Sequence, residues 1–247
     1  MNTIIFGASG NLGSGICRSL LERGDTVVGI TARLESATLL ESDLQEYESF
    51  KTYHCNLLKK DELDVLIGIL LSKQVNNLIF LTRGEVALDS ESSGLQFQRE
   101  AIEDYLLSFL VPLQITLQIS RIENSGLDSV VFASSQYGLV AQSADLYENP
   151  MSAISTPYCS TRGAINSGVR SLAAQLGKQG IRVNAIALGG YEGNTELELS
   201  QKISERIPSG RMLTSSEVAG PFEFLTSKNS EGITGAILTV DKGWTIT

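Results

Sequence analysis

The sequence is poor in the residues from which metal centres and disulfide frameworks are made. Among 247 residues there is one histidine, His54, and three cysteines, Cys17, Cys55 and Cys159. The cysteines are scattered and odd in number, so they suggest no disulfide framework, and one histidine assembles no metal set; all three are expected as reduced thiols. His54 sits in a mostly apolar run and is assigned no role. Basic residues are also scarce: 19 Lys and Arg against 28 Asp and Glu leave a net charge of −9. That balance, with no basic run to offset it, disfavours a nucleic-acid or anionic-membrane surface, so any phosphate must be held by local cations. No apolar run reaches the ~20 residues that a bilayer requires, and a strand pattern starts directly after Met1-Asn2, leaving no room for a signal peptide. The expectation is a soluble, cytoplasmic protein that binds neither nucleic acid nor membrane.

What is present is apolar patterning. With 42% hydrophobic side chains, 247 residues can bury one large core, and a single domain over 1–247 is expected. Strand-like runs at Thr3–Phe6, Thr26–Thr31, Phe50–Cys55, Asn77–Thr82, Asp128–Ala133, Arg182–Leu188 and Ala236–Val240 alternate with helical patterns. The helical patterns include Lys60–Ser72, Phe97 to about Ile122, Pro157 to about Leu176, Leu197–Arg206 and Ser216–Leu225. This alternation predicts an α/β fold with one doubly wound parallel sheet of about seven strands and helices on both faces. Pro112 predicts a kink or irregular turn near Ser108, because proline cannot donate to the preceding turn. The polar stretch from Arg83 to Gly94 reads as an exposed loop.

The first strand runs into Gly7-Ala8-Ser9-Gly10-Asn11-Leu12-Gly13 and then a helix. Glycines at this spacing permit a tight turn, close backbone approach to a pyrophosphate and close helix–strand packing, while the helix N-terminus attracts negative charge. Ala32-Arg33 follows the second strand, where an acid would select NAD; a guanidinium suits a 2′-phosphate, so NADP is favoured. Asn56-Leu57 ends the third strand, where an amide could edge an adenine ring and an aliphatic side chain could cap it. Ser134-Ser135-Gln136-Tyr137-Gly138 ends the fifth strand at the sheet edge where ligands sit, and Gly189 to Asn194 reads as a flexible loop able to close on a ligand.

The chemistry concentrates in Thr156-Pro157-Tyr158-Cys159-Ser160-Thr161-Arg162. Thr156 is expected as the helix N-cap with Pro157 just inside it, which places Tyr158 in the first turn and Arg162 four residues on, on the same face. A cation beside a phenol favours the phenolate, which is the outline of a proton-transfer device.

These landmarks together resemble the short-chain dehydrogenase/reductase family along essentially the whole chain, with its Rossmann sheet. The likeness rests on the Gly7 to Gly13 turn, Ser135 to Gly138, Tyr158 with Arg162, Gly180 to Ile186, Ile233-Thr234-Gly235 and Val240 to Trp244. It implies that Ser135 orients a carbonyl, Tyr158 acts as general acid or base, and Arg162 stands in the family's lysine position. Gly7, Ser9, Gly10, Asn11, Leu12, Gly13, Arg33, Asn56, Leu57 and Gly189 would line the cofactor, NADP before NAD. The substrate would be a small alcohol or ketone, and a homo-oligomer, tetramer or dimer, would form through the two long helices. The Ser135 to Tyr158 spacing and the Gly189 to Asn194 loop look like oxidoreductases of surface-sugar and flagellin modification. Several positions depart from the family: Arg162 for lysine, Ser108 for an asparagine, Leu81-Thr82-Arg83-Gly84 for Asn-Asn-Ala-Gly, Leu188 for a proline and Phe6 for a threonine. Arginine keeps the charge but cannot release a proton, which leaves a catalytically weak dinucleotide-binding sensor or scaffold as the alternative.

Overall fold

The computed structural model describes residues 1–84, 94–123, 125–193 and 196–247, the side chains of residues 151 and 152 excepted. Its strands are β1 Asn2–Phe6, β2 Thr26–Thr31, β3 Phe50–His54, β4 Asn77–Phe80, β5 Ser129–Ser135, β6 Arg182–Leu188 and β7 Ile237–Val240. They pair in the order β3-β2-β1-β4-β5-β6-β7, all parallel. The helices are α1 Gly13–Glu22, α2 Leu34–Asp43, α3 Lys60–Leu71, α4 Gly94–Tyr105, α5 Val111–Ser120, α6 Pro150–Ala153, α7 Thr156–Leu176, α8 Leu197–Arg206 and α9 Ser215–Leu225. The sheet is the seven-stranded, doubly wound one that the strand and helix alternation predicts.

Strand alternation sorts the core into two layers. Ile4, Phe6, Leu78, Phe80, Val130 and Phe132 pack under α3, α5 and α7. Ile5, Ile79, Val131 and Ile186 face α1, α2 and α9 instead. In the first layer Phe6, Phe80 and Phe132 stand opposite one another across β1, β4 and β5, with ring centroids 4.8 and 5.1 Å apart. Phe6, an odd residue before the first glycine, is therefore one end of an aromatic row at the sheet's centre.

The strand order reverses between β1 and β4, and at such a point the loops at the carboxyl ends diverge to leave a crevice. A Cβ on Gly7 would lie 3.1 to 3.3 Å from the backbone of Leu81 and Thr82, so the loops after β1 and β4 touch at the floor of that crevice.

The expected irregularity near Ser108 is a π turn, Leu106–Leu110, between α4 and α5. The Val111 N–H reaches back five residues to the Leu106 carbonyl, the wider spacing that Pro112, with no N–H to give Ser108, leaves room for. The helical segment begins at Gly94 rather than Phe97. Most of the polar stretch expected as a loop, 85–93, lies outside the described residues. The Gly189 to Asn194 loop is less free than expected: Gly190 and Glu192 exchange backbone hydrogen bonds with Leu213 at 3.0 and 2.8 Å, and Asn194 lies outside the described residues.

Candidate active site

The glycine turn is built as a cradle. Gly7 holds φ +83°, a conformation an L side chain resists, and its N–H donates to the Ile30 carbonyl (3.0 Å). A Cβ on Gly13 would come within 2.4 Å of the Gly7 and Ala8 carbonyl oxygens, so only glycine lets α1 start this close to β1. α1 starts at Gly13 with Leu12 as N-cap, no side chain capping it and no acid in its first turn. The uncapped helix end follows the turn's exposed residues Ser9, Gly10 and Asn11, an arrangement suited to a phosphate.

At the end of β2, Arg33 is exposed in extended backbone, its carbonyl accepting from Thr31 Oγ1 (3.0 Å). Its guanidinium forms no ion pair with the described residues, which suits an external anion. Beyond β3, Asn56 shapes a turn: its Oδ1 accepts from the Leu58 N–H (3.0 Å), and its own N–H donates to Glu62 (2.7 Å). Leu57 does not present its side chain to a ligand. It is 6% exposed and packs with Cys55, Leu63 and Leu66, because residues two apart at a strand end share the buried face; the exposed leucine is Leu58.

Ser135, the last residue of β5, is buried and caps a short 3-10 turn, Gln136–Gly138, accepting from the Tyr137 N–H (3.2 Å). That turn is bolted to α7. Asn166 Nδ2 donates to the Gly138 carbonyl (3.1 Å), Ser134 Oγ to the Arg162 carbonyl (3.3 Å), and a Cβ on Gly138 would sit 2.8 Å from the Arg162 backbone. On the far side, a Cβ on Gly189 would meet Asp241 at 2.7 Å and Gln136 Oε1 at 3.0 Å. Gln136 Oε1 is buried and has no hydrogen-bond partner among the described residues.

The cap of α7 is Ser155, not Thr156: its Oγ accepts from the Tyr158 N–H (3.3 Å). Serine and threonine are near equals as caps, and the chain's entry angle chose the earlier one, which moves Pro157 one place into the first turn. Tyr158 stays in that turn, as the spacing required. Arg162 lies over its ring, with Cζ 4.6 Å from the ring centroid. Burial pushes the neighbouring Tyr137 phenol well above its usual range, and Tyr147 and Tyr158 add to that.

Asp104 is the residue that the sequence reading missed. Its carboxylate is wholly buried and its Oδ1 takes three donors: the Gly84 N–H (3.0 Å), Ser108 Oγ (2.9 Å) and Arg162 Nη2 (3.2 Å). Arg162 Nη2 also donates to Ser108 (3.1 Å), and Arg162 is itself only 4% exposed. Arg162 is thus no bare cation beside a phenol but half of a buried ion pair that ties α7 to α4 and to the loop after β4. Its Nη1 makes no hydrogen bond to the described residues. A signal did exist in the sequence: Asp104 and Ser108 fall four apart on the stripe that continues through Val111, Ile115 and Ile119, all core residues.

Comparison with known proteins agrees with this geometry. The model of a family described as Enoyl-(Acyl carrier protein) reductase matches residues 130–245, the stretch carrying Ser135, Tyr158 and Arg162. A 2-dehydro-3-deoxy-D-gluconate 5-dehydrogenase of Pseudoalteromonas atlantica is 26% identical over 98% of this chain and 94% of its own. Post-translational flagellin modification protein A of Campylobacter coli is 24% identical over 98% of each chain. Among solved structures, an actinorhodin polyketide ketoreductase with NADPH aligns over 100% of this chain and 97% of its own, with TM-score 0.84 and 18% identity. A short chain dehydrogenase of Leptospira borgpetersenii with bound NAD+ covers 99% and 92%, with TM-score 0.82 and 23% identity. The chain belongs to the short-chain dehydrogenase/reductase family and is an oxidoreductase of that type, with a dinucleotide-binding fold.

Proposed function

We propose that residues 1–247 act as a single domain that transfers a hydride between NADP and the carbon of an alcohol or ketone, in the cytoplasm. The observation that carries this reading is the placement of Tyr158. Ser155 fixes it in the first turn of α7, beside the turn that follows Ser135 and under the Arg162 guanidinium. Nicotinamide, when bound, supplies the hydride acceptor or donor. Gly7, Gly10 and Gly13 admit the pyrophosphate, with Ser9, Asn11 and Leu12 around it, and Arg33 takes the 2′-phosphate. Asn56 and the backbone of Leu57 edge the adenine, and Gly189 borders the nicotinamide end. Tyr158 hands a proton to the substrate oxygen or removes one, Ser135 orients that oxygen, and Arg162 offers Nη1 to a ribose hydroxyl.

A sugar-derived substrate is the reading supported by a similar protein named for a deoxy-gluconate. Tyr158→Phe is expected to lose at least a hundredfold in turnover while keeping cofactor affinity. Stopped-flow NADPH oxidation with a panel of keto-sugars measures this, and full turnover by the variant refutes the role.

The second reading, a dinucleotide sensor or scaffold with little turnover, is favoured by one observation: Asp104 compensates the charge that should assist Tyr158. NADPH binding by fluorescence with no oxidation on any carbonyl compound, unchanged by Arg162→Lys, selects it.

A further inference from the structure

We propose that Asp104 is a positioning residue of the active centre: its carboxylate cancels the Arg162 charge and holds the guanidinium over the Tyr158 ring, so the phenol works beside a neutral pair. The inference rests on Tyr158 being the proton-transfer group. Asp104 is fully buried, and three elements converge on its Oδ1, through Gly84, Ser108 and Arg162 at 2.9 to 3.2 Å. Gly84 is pressed so closely to α4 that a Cβ there would lie 2.7 Å from the Asp104 backbone, so the carboxylate has no room to swing away.

Among the described residues the pair is also incompletely bonded: Asp104 Oδ2 and Arg162 Nε are both buried without partners there, an arrangement whose cost falls on the folded state and which packing alone would not select. An arginine cannot shed its proton, so an uncompensated guanidinium over the Tyr158 ring would favour the phenolate over the phenol at every working pH. A buried carboxylate 3.2 Å behind it removes that bias while leaving the donors in place. Among the described residues, the titratable groups near Tyr158 include Arg162 and the Cys159 thiol on its own helix, Asp104 behind Arg162 on α4, and the phenol of Tyr137 after β5, which Tyr147 also neighbours.

The test is the ionisation of Tyr158 in the full chain without cofactor, read as the phenolate absorbance of each protein minus that of its Tyr158→Phe counterpart. Asp104→Asn leaves Arg162 uncompensated, and the midpoint is expected to fall by about one pH unit. Asp104→Asn/Arg162→Gln removes both charges at nearly constant volume, and its midpoint is expected to return to that of the parent. If Asp104→Asn does not fold, the double variant decides alone. A double-variant midpoint about one unit above the parent means that Arg162 acted as an uncompensated cation, and it overturns the proposal. So does an unshifted Asp104→Asn. Because no turnover is read, failure of the oxidoreductase reading and failure of this one are told apart.

Discussion

At the scale of a single residue, the proposed cofactor choice rests on Arg33. It is exposed at the carboxyl end of β2, held in extended backbone, and free of ion pairs with the described residues. A guanidinium there gains more from the two charges of a 2′-phosphate than from a ribose hydroxyl, whose hydrogen bond is assisted by the guanidinium charge alone. Arg33→Ala is expected to cut NADPH affinity about tenfold, roughly 1.4 kcal/mol, with NADH affinity unchanged. Fluorescence titration with both nucleotides measures the ratio, and an unaltered ratio removes the phosphate contact. At the same scale, the spacing of Tyr158 and Arg162 shows only their shared face, while the partner that compensates the guanidinium lies 58 residues away.

Among elements, the decisive contact is between the turn after β5 and α7, since it docks the turn that Ser135 caps on the helix that carries Tyr158. It is a backbone contact at Gly138, where a Cβ would be 2.8 Å from the Arg162 carbonyl carbon and from Asn166 Nδ2. Gly138→Ala must push the turn away from the helix, at an expected cost of about 1–3 kcal/mol. Gly163→Ala in the same helix has open space around it and should instead be neutral or stabilise by up to about 1 kcal/mol. Thermal melts of the two variants should move in opposite senses, and a Gly138→Ala melt equal to the parent's rules out the tight dock. Pro112 was legible as a break in the helix, but that the break is a π turn placing Ser108 against Asp104 depends on α7 packing across it.

For the whole molecule, the surface carries a net charge of −9 yet keeps large apolar side chains exposed along α4 and the π turn: Leu95, Phe97, Ile102, Tyr105 and Leu110. No helix among the described residues is long and apolar enough to cross a membrane. We propose that a second copy of the chain covers this face, giving a homo-oligomer, tetramer or dimer. The expectation that α7 also supplies apolar surface is not met, since its large apolar residues, Ile165, Val169, Leu172 and Leu176, are all buried under the sheet. Light scattering at micromolar concentration should give a multiple of the 26.6 kDa chain mass, and Ile102→Glu should lower it. A monomeric parent protein contradicts the proposal.

Local rules wrote the parallel sheet, its helices on both faces, the glycine cradle and the first-turn position of Tyr158 into the sequence, because each follows from periodicity, turn chemistry or spacing within some twenty residues. Only tertiary packing decided that Arg162 is paired, that Leu57 faces the core and that Ser155 caps α7. The first two outcomes hang on which groups the sheet brings together from distant parts of the chain, and the third on the angle at which the chain enters the helix; a buried charge takes its partner from whatever lies beside it in space.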